Sequence, residues 1–222
     1  LVGSEMCIRD SVETHLSLKN KKQGLKLKTT IADASNKIVA SNETGISGDI
    51  VRQPIQVERP VLWEGKKNPY LYTVTVELYD GNQLVDRMVQ RTGFRYFSVD
   101  HEKGFFLNGN YLNLYGFCRH EDAVGRASAL LPEDYKMDME LIKESGATAM
   151  RLAHYPHAEP MYDLSDENGI ILWTEIPMCG PGGQAFTGLV DTEGFKVNAR
   201  LAVKELVYQK FNHPSICFWG IC

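Results

Sequence analysis

The stretch RLAHYPHAEPMYDLSDENGIILWTE, residues 151–175, decides the fold, because it links two short apolar runs through a segment of helical character. The first run ends at Arg151 and is followed by a His-Tyr-Pro triplet, and the second run ends in Glu175. Gly169 follows the helical segment and is typical of a helix C-cap. A strand, a helix and a strand in this order predict a crossover unit with two parallel strands.

The same alternation extends to both sides of this stretch. A strand is predicted over residues 112–115, and the helix after it has Pro132 near its first turn and Gly146 just past its end. The sequence predicts an apolar stripe of Met137, Leu141 and Ile142 on that helix, and Val197, Leu201, Lys204, Glu205 and Tyr208 at helical spacing on a third helix. A further apolar strand, SICFWGI, follows it. The resulting β-α-β-α-β-α-β order fits either a doubly wound sheet or a (β/α)8 barrel.

Polar residues cluster where the predicted parallel strands end. They are Arg119, His120, Glu121, Arg151, His154, Tyr155 and Glu175. In a barrel the carboxyl ends of the strands meet around one mouth, where active sites are built. We therefore expect Arg119, His120, Arg151, His154 and Glu175 to gather around one rim. No GxGxxG motif follows the first strand, so dinucleotide binding is not indicated.

The preceding half of the chain has a different pattern. Residues 12–98 alternate between apolar and polar positions, for example with Leu25, Leu27, Thr29 and Ile31 on one face of a strand. Asp80-Gly81 is a strong hairpin signal. Such short strands predict an antiparallel, immunoglobulin-like β-sandwich of about 85 residues. Residues 1–11 show neither pattern and are interpreted as a non-native or disordered leader, and residues 99–222 as a partial barrel.

Composition limits the classes of partner. The 222 residues carry a net charge of −4 that is mixed along the chain, which argues against a nucleic-acid partner. No apolar run approaches 18 residues, so no membrane span is predicted. The five cysteines are scattered, with no CxxC pair, and indicate neither a zinc knuckle nor a disulfide framework.

The ordered motifs of the second half resemble glycoside hydrolase family 2, which includes β-galactosidases, β-glucuronidases and β-mannosidases. The signature is carried by Arg151, the triplet 154–156, the pair 161–162, Asp166, Gly169 and the run 170–173. FFLNGNYLNLYGFCRHED resembles the opening of the family's barrel, and FNHPSICFWGIC resembles the segment that leads to its Asn-Glu acid/base pair. The resemblance implies a multi-domain fold: an immunoglobulin-like sandwich followed by the first four strands of a (β/α)8 TIM barrel.

The resemblance also implies roles for the polar residues. Arg151 corresponds to an arginine beside the nucleophile, and His154 and His120 correspond to histidines that contact the sugar. Arg119 and Glu121 are expected to be ion-paired residues that line the mouth, and Glu175 is expected to order the mouth or touch substrate. Both catalytic glutamates are expected beyond Cys222, so the chain is interpreted as an inactive fragment of a retaining exo-β-glycosidase. The resemblance leaves β-galactosides, β-glucuronides and β-mannosides open as substrates, and RHED and AHYPHAE favour a β-galactoside because they resemble bacterial β-galactosidase homologues.

Two other functions remain open. One is an immunoglobulin-like carbohydrate-binding or adhesion module without catalytic activity. The other is a metal-dependent barrel hydrolase that uses His120, His154 and His157, although His157 is expected on the second helix and directed away from His154. The resemblance itself implies no cofactor and no metal, because the stretch MCGPGG lacks the metal ligands that some family members have there. The expected partner is a carbohydrate, the longer parent protein is a candidate homo-oligomer, and the cytoplasm and the periplasm both remain open as its compartment.

Overall fold

A computed structural model describes residues 9–18, 23–178 and 192–221. The chain divides into two compact units, one formed by Leu1–Trp63 with Tyr70–Tyr96 and the other by Glu64–Pro69 with Phe97–Cys222. The split at residues 96 and 97 lies two positions before the boundary expected from the sequence. The segment 64–69 belongs to the second unit, although it falls inside the sandwich range expected from the sequence, and the domain limits 12–98 and 99–222 stay a prediction.

The first unit consists of antiparallel strands. They are β1 (Arg9–His15), β2 (Leu25–Ala32), β3 (Ile38–Gly45), β4 (Ile50–Gln56), β5 (Tyr72–Asp80) and β6 (Gln83–Thr92). Strands β1 and β4 form one pair, and the other four form a sheet in the order β3-β2-β5-β6. Strand β1 begins at Arg9 and pairs with β4 from that residue on, so residues 9–11 of the expected leader are part of a sheet, while residues 1–8 lie outside the described chain.

Alternation along β2 produces the core of the first unit. Leu25, Leu27, Thr29 and Ile31 are buried on one face, as the sequence predicts. The buried Thr29 hydroxyl donates to Oε1 of Gln53 at 2.6 Å, and the Gln53 amide donates to the backbone carbonyl of Leu27 at 3.0 Å. A buried amide is stable only when it is hydrogen-bonded, so this contact connects β4 to β2 inside an otherwise apolar core.

The second unit begins with a small antiparallel sheet and continues with parallel strands and helices. The small sheet contains β7 (Phe97–Asp100), β8 (Gly104–Leu107) and β9 (Asn110–Tyr111). The elements that follow are β10 (Gly116–Arg119), α1 (Pro132–Glu144), β11 (Ala149–Leu152), α2 (Glu159–Asn168), β12 (Ile171–Glu175), α3 (Glu193–Lys210) and β13 (Ile216–Gly220). Strands β10 to β13 pair side by side in chain order, and every pair is parallel.

Three predictions about these elements were wrong in detail. The first parallel strand begins at Gly116, not at Leu112. Only a glycine fits at this position, because an added Cβ would lie 1.9 Å from the Ala149 carbonyl oxygen. On α1 the buried residues include Tyr135 and Met139. Of the predicted stripe, Ile142 packs against the core, whereas Met137 and Leu141 are exposed. On α3 the expected stripe is also exposed, and the buried residues are Leu206 and Lys210. Both helices carry more than one series of residues at helical spacing, and periodicity alone cannot choose between them.

Gly169 ends α2 in the left-handed conformation, with φ of 70°, as the sequence predicts. An added Cβ would lie 2.1 Å from the carbonyl carbon of Gly65 and 2.3 Å from the amide nitrogen of Lys66, both backbone atoms of the same unit. Only a glycine permits this close approach of two backbones.

Gly169→Ala is therefore expected to lower the free energy of unfolding by about 2–3 kcal/mol, as the sum of left-handed strain and overpacking. Gly146→Ala is the matched control, because Gly146 has φ of 82° but no atom within 4 Å of an added Cβ, so only the strain of about 1 kcal/mol should appear. Urea denaturation followed by circular dichroism measures both changes. Equal losses in the two variants would contradict the close approach of Gly169 to Gly65.

Candidate active site

The register of the parallel strands places a row of side chains on one face of the sheet, which we call the inner face. Cys118 pairs with Arg151, Arg151 with Trp173, and Trp173 with Phe218. Residues paired across parallel strands point to the same side of a sheet. A concave pocket of about 240 Å³ lies on this face and includes all four residues in its lining.

Arg151 and Glu175 form an ion pair at the carboxyl ends of β11 and β12. Nε of Arg151 donates to Oε1 of Glu175, and Nη2 donates to Oε2 at 3.2 Å. The Glu175 side chain is fully buried, and 33% of the Arg151 side chain is exposed. The hydrogen bond to Glu175 raises the pKa of Arg151 above its ordinary value. A bidentate pair of this kind fixes the position of both groups.

Gly220 makes room for this pair. It lies opposite Glu175 in the register of β12 and β13, and a Cβ at Gly220 would lie 2.7 Å from Cγ of Glu175 and 2.2 Å from Nε1 of Trp173. Gly220 was not predicted as a site residue. A glycine inside an apolar strand pattern is a signal of close approach by a neighbouring group, and the run FWGI carries that signal.

His154 lies against the ion pair. Its Nδ1 is 3.1 Å from Nη2 of Arg151 and 3.3 Å from Oε2 of Glu175. Both contacts use the same ring nitrogen, so Nε2 is left to meet a ligand. The ring of His120 lies 5.3 Å from the ring of His154 at a steep angle, and its side chain is exposed. Four of the five residues expected at one rim, His120, Arg151, His154 and Glu175, are therefore brought together.

Arg119 is the exception, and the expectation that it lines the mouth is wrong. Successive residues of a strand point to opposite faces, so Arg119 points away from the inner face that Cys118 occupies. Its side chain is 7% exposed and donates from Nε to Oδ2 of Asp138 on α1 at 2.9 Å. Nη2 lies 2.8 Å from the same oxygen but is poorly aligned for a hydrogen bond and contributes as an ion-pair partner. Nη1 lies 3.0 Å from Nδ1 of His157.

Glu121 holds the loop behind the mouth and forms no ion pair within the described residues. Its carboxylate accepts hydrogen bonds from the Tyr135 hydroxyl at 2.7 Å and from the backbone N–H of Ala158 at 2.9 and 3.0 Å. Burial, together with the hydrogen bond to Glu121, raises the pKa of Tyr135 to about 12. The backbone N–H of Glu121 donates to the Tyr155 hydroxyl at 3.2 Å. Glu121 therefore supports the site through the segment that precedes α2.

The geometry does not favour a metal centre built from His120, His154 and His157. His157 is buried, lies before α2 instead of on it, and is directed to Arg119 and the Ala153 carbonyl. Over residues 9–18, 23–178 and 192–221, the one group of side chains spaced to hold an ion is Glu159, Asp163 and His213. Both ring nitrogens of His213 already contact carboxylates. The stretch MCGPGG, for which no metal ligand is predicted, lies outside the described residues from Cys179 on.

A parallel β/α sheet that gathers an arginine, a glutamate and two histidines at the carboxyl ends of its strands has the arrangement on which barrel enzymes build their active sites. Sequence profiles agree with this class. The profile described as "Glycosyl hydrolases family 2, TIM barrel domain" matches residues 98–222, and the profile "Glycosyl hydrolases family 2" matches residues 8–95. The chain belongs to glycoside hydrolase family 2, with a sandwich domain followed by part of a TIM-barrel domain.

The chain is also similar to individual proteins. The chain is 42% identical to a β-glucuronidase of Bacteroides fragilis over 88% of its own length and 29% of the relative's, and 30% identical to a β-galactosidase of Thermoanaerobacter pseudethanolicus over 95% and 28%. The solved β-glucuronidase of Parabacteroides merdae superimposes with a TM-score of 0.85 at 29% identity, over 95% of this chain and 26% of that one. The chain thus spans less than a third of the length of these relatives. Among the described residues, no helix has the length and apolar character needed to cross a membrane.

Proposed function

We propose that the protein to which this chain belongs is a retaining exo-β-glycosidase, and that the inner face carries part of its sugar-binding site. The observation that supports this most directly is the cluster of Arg151, Glu175 and His154 at the strand ends. Arg151 has its Nη1 3.9 Å from the Cys118 sulfur, so this donor makes only a weak contact and can serve a second acceptor. His154 offers Nε2, and an imidazole nitrogen can donate to or accept from a sugar hydroxyl.

The chain by itself is expected to be inactive. Retaining hydrolysis requires two carboxyl groups about 5–5.5 Å apart, one as acid/base and one as nucleophile. The two carboxylates described at the site are both engaged, Glu175 by Arg151 and Glu121 by Tyr135 and the Ala158 amide. We propose that the catalytic pair comes from the rest of the parent protein, together with the remaining strands of a (β/α)8 barrel.

Two sugars are candidate substrates. The sequence motifs favour a β-galactoside, whereas the Bacteroides fragilis relative at 42% identity is a β-glucuronidase. We expect the parent protein to hydrolyse β-D-glucuronides faster than β-D-galactosides, because this relative is the more similar of the two compared above.

The experiment is hydrolysis of p-nitrophenyl β-D-glucuronide, galactoside and mannoside by the parent protein and by the 222-residue chain. The anomer of the sugar product is followed by NMR. Activity of the isolated chain, or inversion by the parent, would overturn the proposal.

His154→Gln in the parent protein is expected to lower kcat/KM by about 10–100-fold, the value of one or two hydrogen bonds to the sugar. His101→Gln is the matched control, because His101 is an exposed histidine in the turn between β7 and β8. Steady-state kinetics on the preferred p-nitrophenyl glycoside measures the change. Equal kcat/KM for the two variants would remove His154 from the sugar-binding site.

A further inference from the structure

Arg119 and His157 hold the residue that precedes His154 from two directions. The backbone carbonyl of Arg119 accepts the N–H of Ala153 at 3.0 Å. Nη1 of the Arg119 side chain lies 3.0 Å from Nδ1 of His157, and Nε2 of His157 lies 3.2 Å from the carbonyl oxygen of Ala153. Arg119 and His157 are more than nine-tenths buried, and Ala153 is fully buried. Both backbone polar groups of Ala153 are thus held, and its carbonyl belongs to the peptide group from which His154 projects.

The chemistry of these contacts assigns the proton on His157. A guanidinium has donors only, so Nδ1 of His157 must accept from Arg119. Nε2 then carries the proton and donates to the Ala153 carbonyl, which is an acceptor only. The backbone N–H of His157 donates to the Tyr162 hydroxyl at 3.3 Å, which fixes the base of the side chain as well. Both ring nitrogens therefore have a partner of the matching type when the ring is neutral, and an imidazolium would direct a second N–H at Arg119.

The surroundings keep the ring neutral. Burial lowers the pKa of His157, Arg119 and His120 lower it further, and the Ala153 carbonyl and Glu121 act in the opposite direction. The groups around the ring are Arg119 from β10, His120 and Glu121 from the loop after it, and Tyr155 from the loop after β11. The hydroxyl of Tyr162 on α2 contacts the backbone N–H of His157. The shift thus agrees with the neutral tautomer that the hydrogen bonds require.

We propose that Arg119 and His157 are positioning residues, which set the direction of His154 at the candidate active site through the carbonyl of Ala153. They touch neither the inner face nor a sugar bound there. They act by holding the peptide from which His154 projects, so that its Nδ1 stays within 3.3 Å of Arg151 and Glu175. The inference rests on the proposed function only for its catalytic consequence, because the geometry that it describes exists in the chain by itself.

The test is imidazole nitrogen NMR on the 222-residue chain labelled with ¹⁵N-histidine. For wild type we expect His157 to show a protonated Nε2 and an unprotonated Nδ1 at pH 7 and above, and to titrate at a lower pH than a free histidine. His157→Leu removes both contacts and is expected to shift the Nδ1 resonance of His154. His157→Gln supplies an amide donor and a carbonyl acceptor and is expected to restore that resonance. His101→Leu is the control and should leave His154 unchanged.

Two results would overturn the positioning role. One is a His157 with its proton on Nδ1, or one that titrates like a free histidine, and this measurement needs no variant. The other is a His154 resonance that is the same in wild type and in folded His157→Leu. In the parent protein the same leucine variant is expected to raise KM about tenfold, the value of one misdirected hydrogen bond, with a smaller effect on kcat. A parent protein without glycosidase activity would refute the proposed function and leave the NMR result to decide the positioning role.

Discussion

Replacing Arg151 with methionine is expected to lower the free energy of unfolding of this chain by about 3 kcal/mol at pH 7. The Glu175 side chain is fully buried and depends on Arg151 for a bidentate contact. Removing one partner of a buried ion pair costs about 3–5 kcal/mol, because the other charge is left without compensation. The lower end of that range applies because a third of the Arg151 side chain is exposed to water.

A double-mutant cycle separates loss of the pair from loss of packing. Glu175→Gln removes the buried charge, so the double variant Arg151→Met/Glu175→Gln is expected to be more stable than Arg151→Met alone. Arg52→Met is the matched control, since Arg52 pairs with Glu13 on the exposed surface and its loss should change stability little. Urea denaturation at fixed pH provides all four free energies. If Arg151→Met unfolds at the wild-type urea concentration, Glu175 does not depend on Arg151.

The local signals in the sequence predicted the parts of the fold that depend on neighbouring residues. The alternation of Leu25, Leu27, Thr29 and Ile31 and the C-cap at Gly169 were both confirmed, because each depends on a conformation set within a few residues. The cluster of His120, Arg151, His154 and Glu175 was also anticipated, since parallel strands bring their carboxyl ends to one edge of the sheet.

The sequence did not predict which face of a strand or helix some side chains occupy. Arg119 and Cys118 differ by one position, and one position reverses the face of a strand. Without the start of β10 the sequence could not say which of the two points inward. On α1 the series that begins at Tyr135 and the series that begins at Met137 both have helical spacing, and only packing against α2 and the sheet selects the first. The partner of His157 could not be predicted either, because Arg119 lies 38 residues away.

The contacts of His213 could not be predicted from the sequence either. Replacing this residue is the second change for which we expect a large loss of stability. It lies just after α3, and its Nδ1 is 2.7 Å from Oδ2 of Asp166 while its Nε2 is 3.0 Å from Oε1 of Glu159. The His213 and Asp166 side chains are 2% and 3% exposed. Oδ1 of Asp166 also accepts the N–H of Ser215 at 3.0 Å, so this carboxylate connects α2 to the start of β13. For neither residue does the sequence predict a role beyond its place in the motifs that resemble the family.

The pKa of His213 is set by opposing influences. Burial is the largest single one and lowers it, but the hydrogen bonds and charges of Asp166 and Glu159 together outweigh burial and raise the pKa above its ordinary value. The pKa of Glu159 is lowered: burial, again the largest influence, raises it, and Lys210 and His213 together overcome that effect. The raised pKa thus favours the protonated form of His213, which lies between two carboxylates.

His213→Gln is expected to lower the free energy of unfolding by about 3–5 kcal/mol at pH 6, because Asp166 is left as a buried charge without a cation. Since the folded-state pKa of His213 is raised, its stabilisation is fully present below the unfolded value of about 6.5 and is lost as pH rises through the folded value. Wild type should thus lose stability from neutral to alkaline pH, and the variant should lack that slope. The lowered pKa of Glu159 acts at the other end, where stability falls as acid protonates it.

Urea denaturation between pH 4.5 and 9 measures the slope in both proteins. His15→Gln is the matched control, because His15 is an exposed histidine beside Glu13 and its replacement should leave the wild-type slope intact. Asp166→Asn provides an independent check, since it removes the same ion pair from the other side and should abolish the same part of the slope. A wild-type chain whose stability rises from pH 6 to pH 9 would show that His213 is buried neutral, and the ion pair with Asp166 would then be absent from the folded state.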